Sequence, residues 1–202
     1  MENNTTKNFF KDPQNIIALA VSLISICALG VSIMQTRIMS EQRALMHEQA
    51  KASVWPRLQI ERSKSHRRED YQLTMYELEI INAGVGPAII TDVRVSFDEK
   101  ITKDWWDVFD HLNLPDTMNT AIGFGSINNS MVRIGEEMKF FSLSNNLPLA
   151  QYFHKNDGSI KIEIWYKSIY GDKWKLTYKK TDNKHEEVDS NFSLPDKEQF
   201  QN

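Results

Sequence analysis

Residues 16–34 read IIALAVSLISICALGVSIM, nineteen consecutive positions without a charged side chain in a chain that is otherwise polar. As a helix this run is about 28 Å long, close to the hydrocarbon thickness of a bilayer, and a helix satisfies its own backbone hydrogen bonds there. The run is longer than the apolar core of a cleaved secretory signal. No convincing Ala-x-Ala site follows it, the chain continuing as Gln35-Thr36-Arg37 and a helical pattern, so the segment reads as an uncleaved anchor. Lys7 and Lys11 flank it on one side, and Arg37, Arg43, Lys51 and Arg57 on the other. That excess of basic residues predicts a C-terminal domain on the cytoplasmic side.

Working outward, helix formers continue without Gly or Pro from Gln35 to Ala52, and Trp55-Pro56 then forces an extended or turning backbone. The chain therefore divides into an N-terminal flank (1–14), a transmembrane helix (15–36) and a helical stalk (37–53). A domain over 54–180 and a polar tail over 181–202, expected to be disordered, complete it. Helix and stalk together predict one rod of roughly 55 Å that lifts the domain off the bilayer.

Along the rod, Ala18, Ser22, Ser25, Leu29 and Ser32 recur at heptad spacing, and the same spacing continues through Thr36, Met39, Arg43 and Met46. Small residues let membrane helices approach closely, and a serine hydroxyl can bond a neighbouring helix or its own i−4 carbonyl. The stripe predicts self-association of the span into a homo-oligomer, or a hydroxyl-lined pore made by several copies, since one span conducts only as an oligomer. A plain anchor that happens to contain serine explains the same letters.

From Val54 the periodicity changes from helical to two-residue. Leu58 and Ile60 alternate with charged neighbours. Leu73, Met75, Leu78 and Ile80 suggest a long strand with a bulge near Tyr76, and Ile89, Thr91, Val93, Val95 and Phe97 alternate over nine residues. Further strand signals lie at 121–127, 130–134, 138–143, Ile160–Tyr166 and Trp174–Tyr178. Seven or eight short strands predict a mainly β, antiparallel sandwich of immunoglobulin-like type. Two short helices interrupt it, Asp104–Leu112 capped by Asp104 and Pro148–His154. Asn82-Ala83-Gly84-Val85-Gly86-Pro87-Ala88 reads as a structural turn, because it lacks the lysine and following helix of a phosphate loop. Tyr166–Trp174 reads as a hairpin bending at Gly171-Asp172.

Composition limits the function. Hydrophobic residues make up 41% and mean hydropathy is −0.48, which fits one span on an ordinary soluble domain. Residues 53–202 carry 19 Lys and Arg against 23 Asp and Glu, so bulk charge does not favour nucleic acid. The sole cysteine, Cys27, lies in the apolar run and excludes an intrachain disulfide. His47, His66, His111, His154 and His185 are scattered, and Gly123-Phe124-Gly125-Ser126 is no nucleophile elbow. Asp104, Asp107 and His111 share a helical face that could hold a divalent ion, but a capped surface helix with Trp105 or Trp106 turned inward fits better. No catalytic residue, metal site or cofactor is expected, and the chain does not read as an enzyme.

For binding, Arg62-Ser63-Lys64-Ser65-His66-Arg67-Arg68 is the basic cluster, placed in a loop between two strands. Arg62, Lys64, Arg67 and Arg68 are the candidates for a lipid headgroup, an acidic protein partner or a nucleotide phosphate. A solvated loop balanced by Glu61, Glu69 and Asp70 is the alternative.

The N-x-G-x-G-P-A turn at Asn82–Ala88, the following I-I-x-D-V-x-V, and the Y-x-S-I-Y-G-D-x-W hairpin resemble small bacterial single-span membrane proteins with a C-terminal β-sandwich. The resemblance extends over residues 10–180. The chain is also similar in plan to Hailong-type anti-phage membrane effectors. That similarity implies a homo-oligomer in the bacterial inner membrane, ion-channel behaviour and a role in antiviral defence. It further implies control through the cytosolic part by a nucleic-acid or nucleotide signal.

Overall fold

The computed structural model describes residues 12–112, 123–144 and 147–201. The chain separates into two compact units that divide between Ala50 and Lys51.

The first unit is helical. α1 runs unbroken from Pro13 to Ser53, 41 residues, none of them buried. It is the one helix among the described residues long and apolar enough to cross a membrane. Pro13 sits in the first turn, where its missing N–H costs nothing, and the helix ends two residues before Trp55-Pro56. Of the N-terminal flank, residues 1–11 lie outside the described residues.

The second unit is an antiparallel sandwich. One sheet has the order β1 (Leu58–His66), β2 (Leu73–Asn82), β7 (Glu137–Leu143), β5 (Gly123–Phe124). The other runs β10 (Asp182–Val188), β9 (Lys173–Lys179), β8 (Ile160–Lys167), β3 (Ala88–Phe97), β4 (Lys100–Thr102), with β6 (Met131–Val132) also paired to β3. Ile160, Ile162, Ile164 and Tyr166 all face inward from β8, as a two-residue period requires. α2 (Trp105–His111) and α3 (Leu147–Asn156) add an aromatic cluster to that core. Trp105 is buried, with its ring centroid 4.3 Å from Phe141 and 5.1 Å from Phe140, while Trp106 stays exposed.

Bulges set the phase of three strands. The break expected near Tyr76 lies at Thr74, which has no partner in the β1–β2 register and donates its hydroxyl to Ser65 O. Leu73 and Tyr76 both face the core as a result. Thr91 is likewise skipped in the β3–β8 register, so Ile90 and Val93 are buried and the nine-residue alternation expected from Ile89 is interrupted. Phe140 is skipped between β2 and β7, which lets consecutive Phe140 and Phe141 both reach the interior. Of the strand expected at 121–127, the first two residues lie outside the described residues, and β5 occupies only Gly123 and Phe124.

The C-terminal residues correct the expectation of a disordered tail. β10 pairs along all seven residues with β9, although its sequence DNKHEEV carries almost no apolar signal. The backbone ladder and the Lys175–Glu186 and Lys184–Glu186 ion pairs, 2.9 and 2.7 Å, replace apolar alternation there. Beyond it, Trp165 stacks on Phe192 with ring centroids 5.5 Å apart, and Leu194 is buried. Phe200 donates its N–H to Val93 O at 2.8 Å, accepts from Asn128 Nδ2, and inserts its ring against Trp105 at 5.3 Å. The segment thus occupies the edge of β3 between the stretches paired to β6 and β4.

A fully buried phenylalanine truncated to alanine costs about 3–5 kcal/mol. Phe200→Ala should therefore lower the unfolding free energy of the full chain in detergent by that order, measured by tryptophan fluorescence in urea. A loss below about 1 kcal/mol would show that the C-terminal residues are not part of the core.

Candidate functional site

The basic cluster is divided between a strand and the expected loop, because β1 continues to His66 and the turn begins at Arg67. Arg62 and Lys64, two apart on β1, point to the same side and are half-buried; Arg67 and Arg68 are exposed in the turn. The structure therefore brings together two of the four candidates. Arg67 is 3.5 Å from Asp70, an exposed pair of little energetic weight, and Arg68 stands in solvent.

Around Arg62 the fold assembles residues that no sequence pattern groups. Its Nη1 donates to Asp157, in the 3-10 turn Asp157–Ser159 that follows α3. His154 Nδ1 lies 3.1 Å from the same Asp157 carboxylate and 3.0 Å from Lys64 Nζ. Tyr76 takes a further hydrogen bond from Arg62, and its phenol is pushed well above the ordinary range, first by burial and then by the Asp157 charge. Tyr178, on β9, is raised in the same direction by burial. Lys64 is shifted down by partial burial and by the Arg62 charge, effects that outweigh the pull of Asp157. Asp157, His154, Tyr76 and Tyr178 lie 14–116 residues from Arg62 along the chain, and no spacing rule links them.

Beside this cluster β10 meets β1 through side chains. Ile60 N–H donates to Asn183 Oδ1 at 2.9 Å, Asn183 Nδ2 donates to Ile60 O at 3.0 Å, and His185 Nε2 lies 2.7 Å from Leu58 O. A hollow of about 270 Å³ opens there, lined by Ile60, Glu61, Arg62, Tyr178, Thr181 and Asn183.

The other candidates resolve into structure. Asp104 caps α2 by accepting from Asp107 N–H at 2.8 Å, Asp107 returns by accepting from Lys103 N–H, and His111 Nδ1 bonds Asp107 O. Those carboxylates are occupied in holding a helix start. On α1, Ser22 and Ser25 donate to the carbonyls of Ala18 and Val21 at 2.8 Å, and Thr36 to that of Ser32 at 2.9 Å. Ala18, Ser22, Ser25, Leu29 and Ser32 are all exposed.

The outer face of the six-stranded sheet carries a row of alternating charge centred on buried Glu163. Arg94 approaches it at 2.6 Å, Lys161 at 3.0 Å and Lys175 at 4.0 Å, and Arg94 also pairs with Glu198 at 3.0 Å. Burial raises the Glu163 carboxyl, but hydrogen bonds from Lys161 and Arg94 outweigh burial and hold it below its ordinary value. A carboxylate with a lowered folded-state pKa stabilises the fold above its unfolded pKa, and that contribution is lost as pH falls through the folded value. Glu163→Gln should therefore flatten the loss of stability below about pH 4.3 and cost about 1–3 kcal/mol at neutral pH. Urea midpoints at neutral and acidic pH check both; an unchanged acid slope would remove Glu163 from the acid response.

No curated protein matches the chain. The family described as "Domain of unknown function (DUF8453)" is matched over residues 15–188, a stretch that includes most of α1 and nearly all of the sandwich. The chain belongs to that family.

Proposed function

We propose that this protein is a membrane-anchored, non-enzymatic effector. In this reading α1 crosses the bacterial inner membrane once and associates with copies of itself, and the sandwich receives a signal in the cytoplasm. The observation that carries the reading is α1 itself: residues 16–34 are uncharged, and the chain buries none of them. Nineteen uncharged, mostly apolar positions left outside any core need lipid or another helix around them. The basic excess after the span supports a cytoplasmic sandwich. The small, hydroxylated stripe supports self-association, with a pore along the helix bundle as its sharper form. The likeness in plan to Hailong-type effectors supports control of that pore by the sandwich in anti-phage defence.

A second reading has its own support. Because Ser22, Ser25 and Thr36 already bond their own helix, the span is complete as a simple anchor, and the sandwich would then act as a tethered adaptor for a protein partner.

The triple replacement of Ser22, Ser25 and Ser32 by leucine separates the two. The effector reading expects loss of ion flux in liposomes and of toxicity on expression, with a change in the mass of the solubilised particle. Unchanged flux and toxicity, or a monomeric wild-type particle, would sink the pore. The adaptor reading instead expects function to survive exchange of residues 15–36 for an unrelated membrane helix.

A further inference from the structure

Gln35-Thr36-Arg37-Ile38-Met39-Ser40-Glu41 is followed directly by Gln42-Arg43-Ala44-Leu45-Met46-His47-Glu48, and Gln49 opens a third round. The stalk part of α1 thus repeats Gln-x-x-(Ile/Leu)-Met-x-Glu with a period of seven. In heptad lettering the glutamines take a, Ile38 and Leu45 take d, and Met39 and Met46 take e. On the helix these seven residues fall within an arc of about 120°. Arg37, Glu41, Arg43 and Glu48 all lie outside that arc. Ile38, Met39, Leu45 and Met46 are 52%, 54%, 64% and 67% exposed, and the three glutamines are exposed with them.

We propose that residues 35–49 form a parallel, in-register coiled coil with the same residues of a second copy of this chain, with Gln35, Gln42 and Gln49 at its a positions. The inference rests on the reading of α1 as a spanning, self-associating helix, and it moves the contact in the stalk to a face that reading does not use.

The period selects this occupant. A straight α-helix turns once in 3.6 residues, so a face that meets a flat partner, a lipid surface or a sheet, drifts by about 20° per heptad. A strict seven-residue repeat keeps its place only against a helix that supercoils around it. The side chains select a copy of the same chain. In-register pairing sets each a residue against itself, and a primary amide is donor and acceptor at once, so Gln42 can bond Gln42 of the second copy where a charge would repel itself. Glu41, at g, meets Met46 at e of the other helix, so no like charges face each other there.

The membrane supplies direction and height. With residues 16–34 across the bilayer, every copy presents its stalk at the same level and pointing the same way, and the unbroken α1 carries the repeat off the lipid surface. Polar a positions weaken a coil. Confinement of both helices in one bilayer compensates by raising their effective concentration.

The column Ala18, Ser25, Ser32 continues at seven-residue spacing into Met39 and Met46, so the coil adjoins the membrane stripe along e. Extending the whole stripe through Thr36 and Arg43 instead would set Arg43 against its own copy. The Gln and Leu face avoids that repulsion.

Single cysteines test the face. Gln42→Cys, Leu45→Cys, Arg43→Cys and Ala44→Cys are each made in the full-length Cys27→Ser chain, and disulfide-linked dimer is followed in membrane vesicles after addition of copper phenanthroline. Gln42→Cys and Leu45→Cys should link about tenfold faster than Ala44→Cys on the opposite side, because identical a or d positions come within the roughly 7 Å between Cα atoms that a disulfide spans. Gln42→Glu added to Leu45→Cys should slow linking about tenfold by self-repulsion, and co-expression with a Gln42→Lys, Leu45→Cys chain should restore it. Equal rates at all four positions, or no effect of Gln42→Glu, would overturn the coil. Fast linking at Arg43→Cys alone, or no linking in a particle whose mass is still oligomeric, would overturn the coil and leave self-association of the span standing. A monomeric particle would remove both.

Discussion

The side-chain amide of Asn82 is the point on which the sandwich closes. Wholly buried at the end of β2, it accepts from the N–H groups of Arg57 and Gly84 and donates to the carbonyls of Gly86 and Val132. Those four partners belong to the segment entering β1, the turn leading to β3, and β6. One amide thus ties strands of both sheets to the same spot, with all its bonding capacity used. The two glycines of the turn are fixed by the same closure. A Cβ on Gly84 would collide with the backbone of Trp55–Arg57, and one on Gly86 with that of Val54. Ala83 and Val85 donate their N–H groups to Arg57 O and Trp55 O, so turn and incoming chain form a short backbone ladder that no larger residue would permit.

Elsewhere the sandwich is closed by side chains where strands do not pair. Asn183 and His185 satisfy the β1 edge from β10, and Phe200 fills the gap on β3 between β4 and β6. Each device is short, and each leaves an end. Past Ile60 the bridging from β10 stops and the hollow opens, with Arg62 and Tyr178 in its wall. The hollow is thus a consequence of how the two sheets are joined: the last bridge leaves space, and the next β1 residue on that side is a cation.

Much of the architecture was legible because it rests on periodicity and breakers. Continuous apolar residues gave α1, Trp55-Pro56 its end, two-residue alternation most strands, and Asp104 and Pro148 the two short helices. Hairpin chemistry gave the Tyr166–Trp174 pairing, which the register contains. Bulge positions were read less well, because a slip of one residue at Thr74, Thr91 or Phe140 is decided by partners across the sheet. β10 and the C-terminal clasp were missed for a physical reason: a strand held by its backbone ladder and surface ion pairs has no apolar pattern to detect. Of the candidate site, Arg62 and Lys64 stood out as charge, but Asp157, His154, Tyr76 and Tyr178 join them only through the fold.

The hydroxyls of α1 bear on what could draw copies of the helix together. A serine bonded to its i−4 carbonyl has spent its proton within the helix, yet its oxygen lone pairs and the carbonyl's second lone pair remain available. Between helices such groups add little on their own, because the separated helix in lipid is already satisfied. Association along Ala18, Ser22, Ser25 and Ser32 would then rest chiefly on close backbone approach past small side chains, with hydroxyls fixing rotation rather than supplying most of the energy. Leucine on that stripe would remove the close approach first, so the side-chain volume at these positions, more than their polarity, is the quantity on which the proposed self-association would depend.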